Sequence, residues 1–208
     1  MLKFYSWTTP NGRKISIALE EMGIAYQAIP IDIKKGDQFT PEFLAISPNN
    51  KIPAIVDEDG TTIFESGAIL LYLAEKSGKF MPQSGSADYW QVMQWLMWQK
   101  AGFGPMLGQA HHFLHFNKGK SDYAEARFFK EANRLYRVLN THLEGRSYIG
   151  EALSIADFAI WPWVSRFEFQ QIDLKNFPAV HDWYLSLAER PGFIRGYAQP
   201  MDSGPIPI

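Results

Sequence analysis

The chain has 208 residues, 46% hydrophobic and 15% aromatic, with 20 Lys and Arg against 22 Asp and Glu, a formal charge of −2, and no cysteine. That length can bury a sizeable core without staples, and the missing thiols exclude disulfides, thiolate metal sites and a protein-borne cysteine nucleophile. With no basic surplus to neutralise phosphates, nucleic acid is not an expected partner, and no apolar run approaches the roughly eighteen residues of a membrane span. The expectation is a soluble, cytoplasmic protein.

Leu2 to Trp7 reads as a first strand. Thr9 as N-cap and Pro10 at the first helical position then open an amphipathic helix whose Ile15, Ile17, Ala18 and Met22 share a buried face. Tyr26 to Ile33 reads as a second strand, which makes the opening unit βαβ. A polar loop, Lys34 to Gln38, precedes a short helix capped by Thr40 with Pro41 and Glu42 in its first turn.

Asn49-Asn50-Lys51-Ile52-Pro53 leads into the β-branched run Ala54-Ile55-Val56. Pro53 at a strand entrance is a candidate cis bond, which would turn the backbone of Ile52 toward solvent, where an extended peptide can pair with it. Asp57-Glu58-Asp59 reads as a solvated hairpin turn before Thr61 to Phe64. After Glu65 and Ser66 the apolar period lengthens to that of a helix, with Ile69, Leu70, Leu73 and Ala74 in one stripe and Ser66 as the expected N-cap. Helix-terminal N–H groups favour a carboxylate, and Glu65 beside them can hold an ammonium, so the pair suits an α-amino acid head group. The plainer reading leaves Ser66 and Thr9 as caps and Pro53 as a turn residue.

Gly78 to Ser86, rich in Gly, Ser, Pro and Lys, marks a linker, and the remainder is helical in period. Ala87 to Phe116 reads as one long helix kinked near Gly102, Gly104 and Pro105, and Ser121 to Leu143 as another. Ser154 with Asp157 three residues on is a capping box heading an apolar helix from Phe158 to Phe169. Pro178 to Glu189 and a short helix before Pro200 follow, with the tail Ser203 to Ile208 unassigned. The expected fold is an α/β, thioredoxin-like domain over residues 1–79 in the order β-α-β-α-β-β-α, a linker over 80–86, and an all-α bundle over 87–208.

The order Asn-Lys-Ile-Pro-Ala, hairpin, Glu-Ser, apolar helix resembles the glutathione-binding half of the glutathione transferases. Thr9-Pro10-Asn11-Gly12, Gly36-Asp37-Gln38-Phe39, Ser47 to Pro53 and Gly104-Pro105-Met106-Leu107-Gly108-Gln109 resemble the bacterial nu class. The resemblance implies that Ile52 pairs with the cysteinyl unit of glutathione, Glu65 and Ser66 hold its γ-glutamyl end, and Gln38 and Lys51 contact its glycyl end. It further implies that Thr9 and Asn11 contact the sulfur and that Arg127 reaches the site from the second domain or from a partner subunit of a homodimer. The activity it implies is glutathione-dependent disulfide reduction with weak conjugating or peroxidase activity, without a metal, on two glutathione molecules or their disulfide.

Physical chemistry gives these assignments a rationale. The N-terminus of the first helix favours a thiolate, and a threonine hydroxyl and an asparagine amide are neutral donors able to lower a guest thiol's pKa. A thioredoxin-like fold without cysteine must take every thiol from its ligands. Tyr5 and Ser6 also lie near this turn; with the resemblance assigning the sulfur to Thr9 and Asn11, Tyr5 falls to the core face of the first strand. Phe103 and Met106 with Trp161 or Trp163 are candidate walls of an acceptor pocket, whereas His111 and His115 share a helix face without a third metal ligand. Two alternatives stand beside disulfide reduction: conjugation or lyase chemistry on aromatic electrophiles, and a non-catalytic glutathione-binding regulator or scaffold.

Overall fold

A computed structural model describes all 208 residues. They divide into two compact units, one of Met1–Met81 with Glu189–Ile206 and one of Pro82–Ala188 with Pro207–Ile208. The sequence boundary thus needs revision at its far end, because residues 189–206 belong to the first unit rather than to the bundle.

The first unit carries a four-stranded sheet of β1 (Leu2–Ser6), β2 (Tyr26–Pro30), β3 (Ala54–Val56) and β4 (Thr62–Phe64), in spatial order β2-β1-β3-β4. β1 and β2 are parallel, joined by the crossover helix α1 (Pro10–Met22), whereas β3 runs antiparallel to both β1 and β4. β2 stops at Pro30, short of the expected Ile33. Alternation along β1 sends Leu2, Phe4 and Ser6 to one face and Tyr5 to the other. There Tyr5 packs with its cross-strand partner Ala54 against Ile31 and Phe43, the latter from α2 (Pro41–Leu44). The tyrosine is therefore half-buried in a small second core rather than in the main one.

α1 is buried nearly all round, since α3 (Ser66–Ser77) packs on one side and α9 (Pro191–Tyr197) on another. The contact with α9 is backbone to backbone: a Cβ at Gly196 would collide with the main chain of Ile17, and Ser16 Oγ donates to the Gly196 carbonyl at 2.7 Å. The buried guanidinium of Arg13 lies flat on the Tyr197 ring, 3.4 Å from its centroid, and Nε donates to the Tyr197 carbonyl at 3.3 Å. A second bond, from Arg13 to Ser203 Oγ, ties down part of the tail that sequence left unassigned.

The β3–β4 turn departs from expectation. Asp57 is only 4% exposed, and its carboxylate accepts bonds from Lys76 Nζ at 2.6 Å, from Tyr72 Oη, and from the Glu58 amide at 2.8 Å. A polar residue in a turn looks solvated until the partners on α3, fifteen and nineteen residues away, are in place. Burial would raise the pKa of Asp57, but the bonds from Lys76, Tyr72 and Glu58 outweigh it and hold it at about 2, below the ordinary 3.8. A depressed carboxyl pKa stabilises the fold above the unfolded value, so this contribution is full above pH 3.8 and lost as pH falls through about 2. Urea midpoints taken from pH 5 to pH 2 should show Asp57→Asn abolishing that component of the acid loss.

In the second unit, α4 (Ala87–Trp98), a π-helical turn (Gln99–Phe103), α5 (Gly104–Ala110) and another π-helical turn (His111–Phe116) form one continuous helical run. The irregularity expected at Gly104-Pro105 is thus a change of hydrogen-bond period, which absorbs the donor that proline lacks. α6 (Asp122–Leu143) is capped by Ser121. α7 (Ile155–Val164) is wholly buried and opens with the Ser154–Asp157 capping box; it ends before Phe169, which lies in a 3-10 turn over Phe167–Gln170. α8 (Pro178–Ala188) closes the unit. No helix is long and apolar enough to cross a membrane.

Candidate functional site

Strand register gathers the seven singled-out residues of the first unit at one end of the sheet. Tyr5 pairs with Ala54 and Ala54 with Phe64, so the exits of β1 and β4 flank the entrance of β3. The exit of β1 leads to Thr9 and Asn11, that of β4 to Glu65 and Ser66, and the entrance of β3 follows Ile52. β2 leaves at the same end, because Ser6 pairs with Pro30 and its carbonyl accepts the Ile31 amide at 2.8 Å. The loop carrying Gln38 starts there, and Lys51 precedes Ile52.

At the first helix, Thr9 is the N-cap of α1 and Oγ1 accepts the Gly12 amide at 3.3 Å. Accepting occupies a lone pair and leaves the hydroxyl proton to point elsewhere. Gly12 is sterically required, since a Cβ would collide with Ser6 Oγ and the Trp7 carbonyl. Close approach of helix to strand therefore sets the position of the Thr9–Asn11 turn, on which Asn11 is half-buried. No acidic side chain occupies the first turn of α1, so nothing there offsets the positive end of the helix.

The Ile52–Pro53 bond is cis, as the sequence suggested, and Ile52 lies outside the ladder that begins at Ala54. Ser47 Oγ donates to the Lys51 carbonyl at 2.8 Å and holds the turn from which the exposed Lys51 projects. Gln38 donates Nε2 to the Ile33 carbonyl at 3.3 Å, while Oε1 is shielded from solvent without a hydrogen-bond partner.

At α3 the cap assignment shifts by one residue. Glu65 is the N-cap and Ser66 the first helical residue, and Glu65 makes no capping bond through its side chain. Glu65 has φ +70, a left-handed conformation that costs a non-glycine residue energy and that clusters at binding sites. Its exposed side chain and the buried Ser66 hydroxyl stand beside a helix start with no acidic residue in the first turn. Here lies a group the sequence reading passed over. Lys14 of α1 is only 1% exposed and its ammonium is 3.5 Å from Ser66 Oγ. Its position three and four residues before Ile17 and Ala18, on the buried stripe, was the available signal.

In the second unit Arg127 is exposed on α6 and lines an open groove of about 650 Å³ with Tyr123, Lys130, Arg134, Arg137 and Met106. Of the expected pocket aromatics, Phe103 and Trp161 are instead core: Phe103 stacks on Trp98, and Trp161 stacks on Tyr184 and donates to its carbonyl at 3.0 Å. Trp163 packs over Gly104 and Gly108, which leave room for its ring. His111 is also buried, stacked on Trp163 and 3.0 Å from Gln170 Nε2, and its pKa is pushed down to about 4, mainly by burial and also by Arg166 and His115.

A strained residue opening α3, a cis-proline loop and a polar turn on α1, gathered at one end of a thioredoxin-like sheet in a chain whose second unit is helical, define a glutathione transferase. The N-terminal-domain profile of that family matches residues 8–76 and the C-terminal-domain profile residues 122–185, and the chain belongs to the family. It is 50% identical over 198 residues, 92% of either chain, to the disulfide-bond oxidoreductase YfcG of Escherichia coli K12. To the disulfide-bond oxidoreductase YghU of the same organism it is 40% identical over 223 residues, 99% of this chain and 77% of the other. A glutathione transferase from Pseudomonas putida, solved with one glutathione disulfide per subunit, matches with a TM-score of 0.88 at 42% identity over 96% of this chain and 91% of its own. One from Burkholderia graminis, holding two glutathione molecules per subunit, matches with a TM-score of 0.88 at 40% identity over 96% and 88%.

Proposed function

We propose that the protein reduces small disulfides with glutathione, binding the tripeptide along the sheet end that carries Thr9, Asn11, Ile52, Glu65 and Ser66. The observation that carries this reading is the gathering of a thiol-favouring helix start and an amino-acid-favouring helix start at one sheet end, in a chain without cysteine. In this reading Ile52 pairs with the cysteinyl backbone, Ser66 and the α3 amides take the γ-glutamyl carboxylate, Glu65 takes the ammonium, and Gln38 and Lys51 take the glycyl end.

Thr9 and Asn11 donate hydrogen bonds to the glutathione sulfur and, with the positive end of α1, favour its thiolate. The thiolate attacks one sulfur of the disulfide, and the other sulfur leaves as a thiolate that takes up a proton. A second glutathione thiolate then attacks the glutathione sulfur of the mixed disulfide and expels the remaining thiol. Two thiols supply the two electrons, and the product is glutathione disulfide.

The test compares turnover of hydroxyethyl disulfide with that of an aryl halide. Faster disulfide turnover is expected; preference for the halide would support the conjugating alternative, and glutathione binding without either activity a sensor. A cytoplasmic homodimer accompanies the proposal, supported by exposed Phe116, Tyr123 and Phe129 in the second unit and exposed Phe64 on an edge strand in the first. Sedimentation equilibrium should give twice the 23.8 kDa chain mass.

A further inference from the structure

We infer that Ser47 is a positioning residue for glutathione: its hydroxyl fixes the plane of the Lys51–Ile52 peptide so that the Ile52 amide faces the cysteinyl carbonyl of the ligand. The inference rests on the proposed glutathione site, in which Ile52 pairs with the cysteinyl backbone. Ser47 is 1% exposed, and Oγ donates to the Lys51 carbonyl at 2.8 Å. That carbonyl and the Ile52 amide belong to one planar trans peptide, in which C=O and N–H point in opposite directions. A carbonyl held inward on a buried hydroxyl therefore turns the Ile52 N–H outward. Neither the amide nor the carbonyl of Ile52 makes a hydrogen bond within the chain, so both remain for an extended peptide.

Ser47 is itself anchored. Its amide donates to the Phe43 carbonyl at 2.8 Å, and its carbonyl accepts the Asn50 amide at 2.9 Å. Pro48 at the second position of that Ser47–Asn50 turn favours the closure, and Asn50 takes the left-handed region at φ +48. Phe43 belongs to the small second core, against which the Ile52 side chain also packs. A peptide plane can still swing between two fixed Cα atoms, so a packed Ile52 side chain does not by itself aim the amide. The Ser47 hydroxyl removes that freedom before the ligand arrives, and affinity otherwise lost to ordering the loop is kept.

The experiment measures dissociation constants for γ-glutamylcysteine amide and for γ-glutamylcysteamine, which differ only in the cysteinyl carboxamide. Both stop short of glycine, so contacts to the glycyl end play no part. Unsubstituted protein is expected to prefer the amide. Ser47→Ala should weaken the amide about five- to tenfold and γ-glutamylcysteamine less than about twofold, the loss of one oriented hydrogen bond. Ser47→Thr, which retains the hydroxyl, should keep more of the preference than alanine. Equal losses for both ligands, or an unchanged preference, would make Ser47 merely structural and overturn the inference. Should the alanine variant fold poorly, the unsubstituted protein supplies the second readout in a 1H–15N spectrum. The Ile52 amide should exchange with water in the free protein, gain protection with γ-glutamylcysteine amide and stay unprotected with γ-glutamylcysteamine. An Ile52 amide already protected in the free protein would mean that the peptide plane faces inward, which also overturns the inference. Unsubstituted protein that binds both ligands equally, or neither, or that binds the amide without protecting Ile52, would instead refute the placement of the cysteinyl unit.

Discussion

Alanine at Asn11 is expected to lower glutathione-dependent disulfide turnover at pH 7 by roughly 10- to 100-fold, the worth of one hydrogen bond to a charged acceptor. The loss should shrink at high pH. If Asn11 stabilises the thiolate, its removal returns the bound thiol toward the pKa of a free thiol, about 8.5, so the rising limb of the pH–rate profile moves to higher pH. A pH-independent loss would show that Asn11 positions the ligand without ionising it. Thr9→Ala should act similarly and also cost about 1 kcal/mol of stability, because it removes the N-cap of α1 and its bond to Gly12. Thr9→Ser, which keeps the hydroxyl, should retain both activity and cap. Full activity in both alanine variants would remove this turn from the mechanism.

The largest stability effect is expected at Asp157, whose side chain is fully buried. Its carboxylate accepts four bonds: the Ile149 amide at 3.0 Å, the Ser154 amide at 2.9 Å, Ser154 Oγ at 3.1 Å and Trp183 Nε1 at 3.0 Å. Burial pushes its pKa up to about 6, against donors that all favour the ionised form. Asp157→Ala leaves buried donors on three chain segments without an acceptor, each costing about 1–3 kcal/mol before relaxation, for a total of roughly 3–5 kcal/mol. In a chain of this size that corresponds to a melting-point loss of about 6–20 °C. Asp157→Asn keeps one oxygen but presents an NH2 group to other donors, so it should lie between the two. A loss below about 1 kcal/mol by urea unfolding would mean that the segment around Ile149 and α8 holds without this anchor.

Much of this was legible from local pattern. The caps at Thr9, Thr40 and Ser154, the cis bond before Pro53 and the change of period after Phe64 are decided by a few neighbouring residues. They specified the element order and the turns that carry Thr9, Asn11, Ile52 and Glu65. What local pattern could not decide was which distant groups meet. Asp57 reads as a turn residue until Tyr72 and Lys76 close on it, and Phe103 and Trp161 read as pocket walls until their stacking partners are known. The return of residues 189–206 to α1 depends on a glycine narrow enough for backbone contact and on Arg13 finding Tyr197 and Ser203. Sequence by itself settled the order of strands and helices, because helix capping and hydrophobic period are local energies; only the tertiary structure decided that Lys14 lies buried against Ser66, because burial is a property of everything that packs around a side chain.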